Sequence, residues 1–208
     1  MTRDVDGKIE ISLQIHHRAV VNIEAKLEPG KIVLLIGRNG SGKTTLLKSI
    51  AGLNKKSTGS VFFKEQSHIP QMSFYFPIRE ISPGLILSDF INAELIQNLV
   101  THNVFKIDPN DLFEQLSAGE RDGVMVEFCL QKEASFYFLD EPFAHLDYLA
   151  RKYFIEKFKR LKEIDKKTIL FSSHDIASVR NVVDEVWFIE ESGQLKIISP
   201  KELETLGL

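Results

Sequence analysis

The residues with the clearest chemistry are Gly37-Arg38-Asn39-Gly40-Ser41-Gly42-Lys43-Thr44, which follow the apolar run 32–36 and lead into a helix-like run over 45–51. Glycines at this spacing let backbone N–H groups converge on an anion at a helix N-terminus, where the dipole favours negative charge. In such a phosphate cradle Asn39, Gly40, Ser41 and Gly42 form the loop. Lys43 reaches the β- and γ-phosphates, and the Thr44 hydroxyl is a Mg²⁺ ligand. A dinucleotide fingerprint fits less well, because its third glycine is absent and Lys43-Thr44 would have no role.

A second apolar run, 136–139, ends in Asp140-Glu141-Pro142. In open α/β sheets ligands bind beyond the carboxyl ends of the strands, so this acid pair is expected at the same end as the phosphate loop. Asp140 is then placed to hold Mg²⁺ through water. Glu141 is placed to orient and deprotonate a water attacking the γ-phosphate.

Positioning these groups needs a scaffold, and the hydrophobic periodicity outlines one. Residues 1–27 alternate apolar and polar (Ile9, Ile11, Leu13, Ile15; Val21, Ile23, Ala25, Leu27), the period of half-buried antiparallel strands. Solid apolar runs at 32–36, 136–139 and 168–171 read as strands buried on both faces. A helix over 147–161, with Phe154, Phe158 and Leu161 on one face, separates the last two and implies parallel pairing. Over 72–116 strand-like runs disappear, and 88–100 has helical spacing behind a capping Ser88. The reading is a single 1–208 α/β domain: a P-loop NTPase core with a mainly parallel sheet and an N-terminal antiparallel β layer (1–71 and 117–208), and an inserted helical subdomain (72–116).

Composition narrows the class. The chain has 208 residues, 43% hydrophobic and 26% charged, which fits an ordinary globular core. With 26 Lys plus Arg against 29 Asp plus Glu, the net charge of -3 gives no basic excess, so no nucleic acid partner is expected. The basic side chains Arg151, Lys152, Lys157, Lys159, Arg160 and Lys162 read as a solvated helix face. No apolar run approaches bilayer length, and the single cysteine, Cys129, reads as a small buried hydrophobe in a reducing cytosol.

Further motifs carry a family resemblance. Leu116-Ser117-Ala118-Gly119-Glu120-Arg121 resembles the signature motif of the ATP-binding-cassette (ABC) family, usually Leu-Ser-Gly-Gly-Gln. Ile69-Pro70-Gln71 is similar to its Q-loop, Ala144-His145-Leu146-Asp147 to its D-loop, and Ser172-Ser173-His174-Asp175 to its switch-histidine segment. With the phosphate loop and acid pair these stand in family order over nearly the whole chain.

The resemblance implies ATP and Mg²⁺ as ligands and a head-to-tail pair of cassettes, each ATP held by one P-loop and the opposite signature. Ser117 and the Gly119 amide would meet the γ-phosphate in trans, and His174 would meet it in cis. Gln71 would touch Mg²⁺ or the attacking water, Asp147 would bridge the chains, and Thr45 would bind the α-phosphate. Three departures stand out. No Phe, Tyr or Trp precedes Phe62, which leaves His16 or His17 as candidates for stacking on the base; Ala118 and Glu120 replace Gly and Gln in the signature; and the D-loop carries His145, where a pH-dependent dimer contact is an option.

The chain is most similar to the separate ATPase subunit of a prokaryotic-type ABC transporter, at the cytoplasmic face of the cell membrane with a transmembrane partner. Phe74, Tyr75, Phe76 and Phe90 would offer that partner a groove. The alternatives are a soluble cassette serving an assembly or repair complex, and a non-catalytic ATP-switched module, against which Glu141 and His174 speak.

Overall fold

The computed structural model describes residues 8–16, 20–64, 71–77, 84–89 and 91–205. Two sheets organise them. Strands β1 (Lys8–His16), β2 (Val20–Leu27) and β4 (Ser57–Lys64) form an antiparallel layer in the order β2-β1-β4. The six-stranded sheet has the order β5 (Met72–Tyr75), β6 (Phe136–Leu139), β7 (Thr168–Ser172), β3 (Ile32–Gly37), β8 (Glu185–Ile189), β9 (Leu195–Ile198). All its pairings are parallel except β8 with β9.

The side-chain period of a strand decides what each face of this sheet covers. Ile32, Leu34 and Ile36 face a core shared with helices α2 (Ala93–Thr101), α3 (Ala118–Leu130) and α4 (Tyr148–Glu163). Val33 and Leu35 face the other core, built with Ile9, Ile11 and Ile23 of the antiparallel layer and Leu46, Leu47 and Ile50 of α1 (Lys43–Ile50). Burial on both faces explains why β3, β6 and β7 read as unbroken apolar runs. Two short helices, α5 (Ile176–Val179) and α6 (Glu202–Thr205), complete the fold.

The segment 72–116 differs from its sequence reading. Met72–Tyr75 is an edge strand of the parallel sheet, not part of a helical insertion, and it pairs with β6 from Met72↔Phe136 to Tyr75↔Leu139. Its helix begins later too: Asn92 caps α2 through a 2.8 Å bond from Leu95 N–H, while Ser88 lies in a 3₁₀ turn over Leu87–Asp89. Asn at the N-cap does what a serine would do, and sequence spacing alone could not choose between them.

The basic face of α4 is more committed than expected. Lys157 pairs with the fully buried Glu127 of α3, Arg151 pairs with Asp175, and Lys162 reaches Asp184 at 2.5 Å. These contacts tie α4 to its neighbours. Cys129 is buried, and burial pushes its thiol up to about 11.

Candidate nucleotide site

The carboxyl ends of β3, β6 and β7 meet at one edge of the sheet. The phosphate loop leaves β3 there, tightened by a Ser41 N–H to Arg38 C=O bond of 3.0 Å. Gly42, the N-cap of α1, has φ 106°, a left-handed conformation that costs a side-chain-bearing residue about 1 kcal/mol or more. That residue turns the chain sharply into the helix, whose first turn begins at Lys43 rather than at the sequence-read 45. The Thr45 C=O accepts from Ser49 Oγ at 2.7 Å inside α1.

Lys43 is 7% exposed and spans the loop, its Nζ donating to the Gly37 C=O at 2.9 Å. Burial lowers its pKa, and the nearby Glu141 and Asp140 carboxylates raise it in return. The ammonium is therefore held over the loop opening, facing two acids.

Those acids lie on a connected hydrogen-bond path. Thr44 Oγ1 donates to Asp140 Oδ2 at 2.7 Å, and Ser172 Oγ donates to Asp140 Oδ1 at 2.9 Å. The same Ser172 hydroxyl accepts from the Glu141 N–H at 2.8 Å. Asp140 itself is 5% exposed, so both its oxygens are fixed by protein hydroxyls rather than by solvent. Sequence reasoning passed over Ser172. Its signal was its place at the end of a buried strand, within the segment already singled out for His174.

Glu141 adopts φ 49°, a strained value for its residue type. His174 Nε2 lies 3.2 Å from its Oε1, an ion-pair distance. Burial pushes the Glu141 carboxyl above its ordinary value; His174 and Lys43 pull it back, and Asp140 pushes it further up. A raised carboxylate beside an imidazole is suited to accept a proton from water.

Gln71 is not brought to this cluster. Its C=O accepts from the Ser135 N–H at 2.8 Å, at the amino end of β6, whereas Asp140 N–H donates to the Tyr75 C=O at 2.9 Å, at the carboxyl end. Four strand residues at ~3.3 Å each separate the two ends. The strand end beside the acids instead carries Phe76 and Pro77. The Q-loop resemblance implies a place for Gln71 beside Mg²⁺, whereas the register of β5 against β6 sets it at the other end of the strand.

The signature residues form a second group, on α3. Ser117 caps the helix in a reciprocal capping box: Glu120 N–H donates to Ser117 Oγ at 3.2 Å, and the Ser117 N–H and hydroxyl donate to Glu120 Oε2 at 2.9 and 2.7 Å. Gly119 packs so closely on the D-loop that a Cβ would meet the His145 C=O at 2.6 Å. His145 Nδ1 lies 2.6 Å from Asp122 Oδ2, so within the chain this histidine faces α3. Asp147 caps α4, accepting from the Ala150 N–H at 2.8 Å. Among the described residues no hydrogen bond joins Ser117 or Gly119 to the P-loop, the acid pair or His174. His17 and Phe90 lie outside the described residues; Phe74 and Phe76 line a cavity of about 150 Å³ with Met125 and Phe128, and Tyr75, also on its wall, is buried.

Thr44 and Asp140 present only oxygen donors, the set a hard cation such as Mg²⁺ takes. Among the described residues no group of three or more His, Cys, Asp or Glu could hold a metal by itself, so substrate phosphates and water would complete the shell. No helix among the described residues is long and apolar enough to cross a membrane.

Comparison with known proteins agrees with this geometry. The sequence pattern of the family described as ABC transporter matches residues 20–144. The zinc import ATP-binding protein ZnuC of Wolbachia pipientis wMel is 31% identical over 77% of this chain and 69% of its own length. The thiamine import ATP-binding protein ThiQ of Vibrio cholerae is 31% identical over 82% of this chain and 79% of its own. A solved ATP-binding subunit of an ABC transporter shares the fold at a TM-score of 0.77 and 21% identity, over 97% of this chain and 93% of that one. The chain belongs to the ABC transporter family, as an ATP-binding and ATP-hydrolysing subunit.

Proposed function

We propose that this chain powers an importer by closing, with a second cassette, around two ATP molecules, and that a separate transmembrane partner converts the closure into altered access. The observation that carries the reading is the Thr44–Asp140–Ser172–Glu141 path, which fixes the Asp140 carboxylate between two hydroxyls and anchors the backbone of Glu141, with both acids close enough to Lys43 to raise its pKa.

The residue roles combine that geometry with the family resemblance. Backbone amides of Asn39, Gly40, Ser41 and Gly42 wrap the phosphates, with Thr45 at the α-phosphate. Lys43 leaves the Gly37 carbonyl for the β- and γ-oxygens. Thr44 and Asp140 would hold Mg²⁺, which when bound neutralises charge on the β- and γ-phosphates. Glu141, its carboxyl raised by burial, takes the proton of the attacking water, and His174 steadies both that carboxylate and the γ-phosphate. Ser117 and Gly119 complete the site of the opposing chain, with Asp147 at the junction between chains. Gln71 has no part in this account, because it stands at the other end of β5.

Relatives named as importers of zinc, of spermidine and putrescine, and of thiamine match this chain at 31%, 25% and 31% identity. Such different cargoes at similar distance support import as the direction and support a reading in which the membrane partner chooses the cargo. The cavity beside Phe74, Phe76, Met125 and Phe128 is where a cytoplasmic helix of that partner would seat, holding this chain at the inner face of the membrane.

The test is to tag the chain in its native cell, solubilise membranes gently and identify bound proteins. The reading expects a multi-span protein that stimulates ATP hydrolysis; recovery of soluble partners alone overturns it.

A further inference from the structure

We propose that Glu120 is a tethered competitor for the γ-phosphate. Its carboxylate engages the donors at the N-terminus of α3 that a second chain's ATP needs, and so weakens ATP-driven pairing of cassettes. The inference rests on the reading that Ser117 and Gly119 meet that phosphate in trans.

A neutral side chain would also close the box. A capping box needs only an acceptor at the third helical position, and Gln supplies one. Here the acceptor is charged. A single oxygen, Glu120 Oε2, takes both the Ser117 hydroxyl proton at 2.7 Å and the Ser117 N–H at 2.9 Å. The hydroxyl that would donate to a phosphate is thus directed into the chain's own carboxylate. Helix geometry leaves the Ala118 and Gly119 amides without intrahelical acceptors, so an incoming phosphate would find them at the same end. It would also find the Glu120 carboxylate already seated on the neighbouring Ser117 donors.

Among the described residues no ion pair reaches that carboxylate. The adjacent Arg121 guanidinium donates to the Glu114 C=O at 3.4 Å, and His145 is turned to Asp122. Ser117 is exposed, so a partner can approach it. For the phosphate to accept from Ser117, the Glu120 side chain must swing away and give up the helix end it stabilises. Pairing is then answerable to phosphate charge: a triphosphate outcompetes the carboxylate where a weaker anion does not.

The experiment measures dimerisation by analytical ultracentrifugation with Mg²⁺ and AMP-PNP, for the wild type and for Glu120→Gln, Glu120→Ala and Ser117→Arg, with a melting curve for each. Glu120→Gln should melt slightly below the wild type, for the lost charge at the helix N-terminus, and dimerise roughly three- to tenfold more tightly, because it keeps the cap acceptor and loses the charge. That gain should shrink at high salt, since the competing interaction is between exposed charges. Glu120→Ala should also pair more tightly yet melt lower, having lost the cap acceptor. If Ser117→Arg abolishes pairing while Glu120→Gln pairs no better than the wild type, the competitor role is overturned and the in-trans reading stands. If Ser117→Arg pairs normally, or AMP-PNP drives no pairing in any variant, the in-trans reading itself falls, and this inference with it.

Discussion

Thr44 Oγ1 and Asp140 Oδ2 are 2.7 Å apart although the strands that lead to them are not neighbours: β7 lies between β3 and β6 in the sheet. The contact passes over the end of β7, and that strand's Ser172 holds the other oxygen of the same carboxylate at 2.9 Å. Three adjacent parallel strands therefore deliver one group each to a single point, as chains that all end at the same edge of a sheet can do.

The raised Glu141 carboxyl predicts the acid limb of activity. A base works only when deprotonated, so hydrolysis should fall with decreasing pH at values above those of an ordinary glutamate. Stability should show the opposite sign. The folded state favours the protonated form, so the ionised form costs stability at neutral pH, and the cost fades as pH falls through the folded pKa. Glu141→Gln, which mimics the protonated form, should melt above the wild type at pH 7 and match it in acid, as calorimetry across pH would report.

Ser172 bonds both Asp140 and the Glu141 backbone. Ser172→Ala strands two polar groups at a buried edge, so a loss of about 2 kcal/mol in denaturant stability is expected. A fall in kcat of roughly tenfold should accompany it, from a misplaced base. Unchanged steady-state kinetics would show that the hydroxyl merely fills space.

Gln71 stands at the amino end of β5, remote from the acids. Gln71→Ala should leave kcat and the Mg²⁺ dependence within about twofold of wild type, the range of an ordinary surface substitution. A steep loss of Mg²⁺ response would restore the residue to the site.

Lys157 pairs with Glu127, whose side chain is fully buried between α3 and α4. Lys157→Ala leaves that carboxylate without its partner and should cost about 3 kcal/mol in urea denaturation. Pairing it with Glu127→Leu should recover most of the loss, since a well-packed apolar pair removes the orphaned charge. Additive losses would argue against a coupled pair.

The parts legible in the sequence are those where one local pattern has one structural meaning. The both-face burial of β3, β6 and β7 shows as unbroken apolar runs, and the phosphate loop shows as glycines between a strand and a helix. The short edge strand β5 is where reading failed. Its four residues alternate between partly and fully buried, and Ser73 turns inward to donate to the Cys129 C=O at 2.9 Å. A polar residue facing a core on hydrogen bonds to Cys129 gives no periodic signal, so the strand was read into the helical subdomain and the register that sets Gln71 apart from the acids was not visible.

The site shows the same division. Asp140 and Glu141 were legible because they follow directly on the end of a buried strand, and Lys43 and Thr44 because they close a glycine loop at a helix start, whereas the Ser172 hydroxyl needed the register of β7 against β6 to be known. The ion pairs of α4 were illegible for another reason: Glu127 and Asp184 come from distant segments, and charge spacing on one helix says nothing about partners across the fold.

The most direct test of the account measures phosphate release and dimer formation together, in wild type and Glu141→Gln with saturating ATP and Mg²⁺. The account predicts that wild type releases phosphate, while Glu141→Gln slows release at least about 10²-fold and still accumulates an ATP-driven dimer. Wild-type release by Glu141→Gln, or loss of its dimer with folding intact, would contradict it.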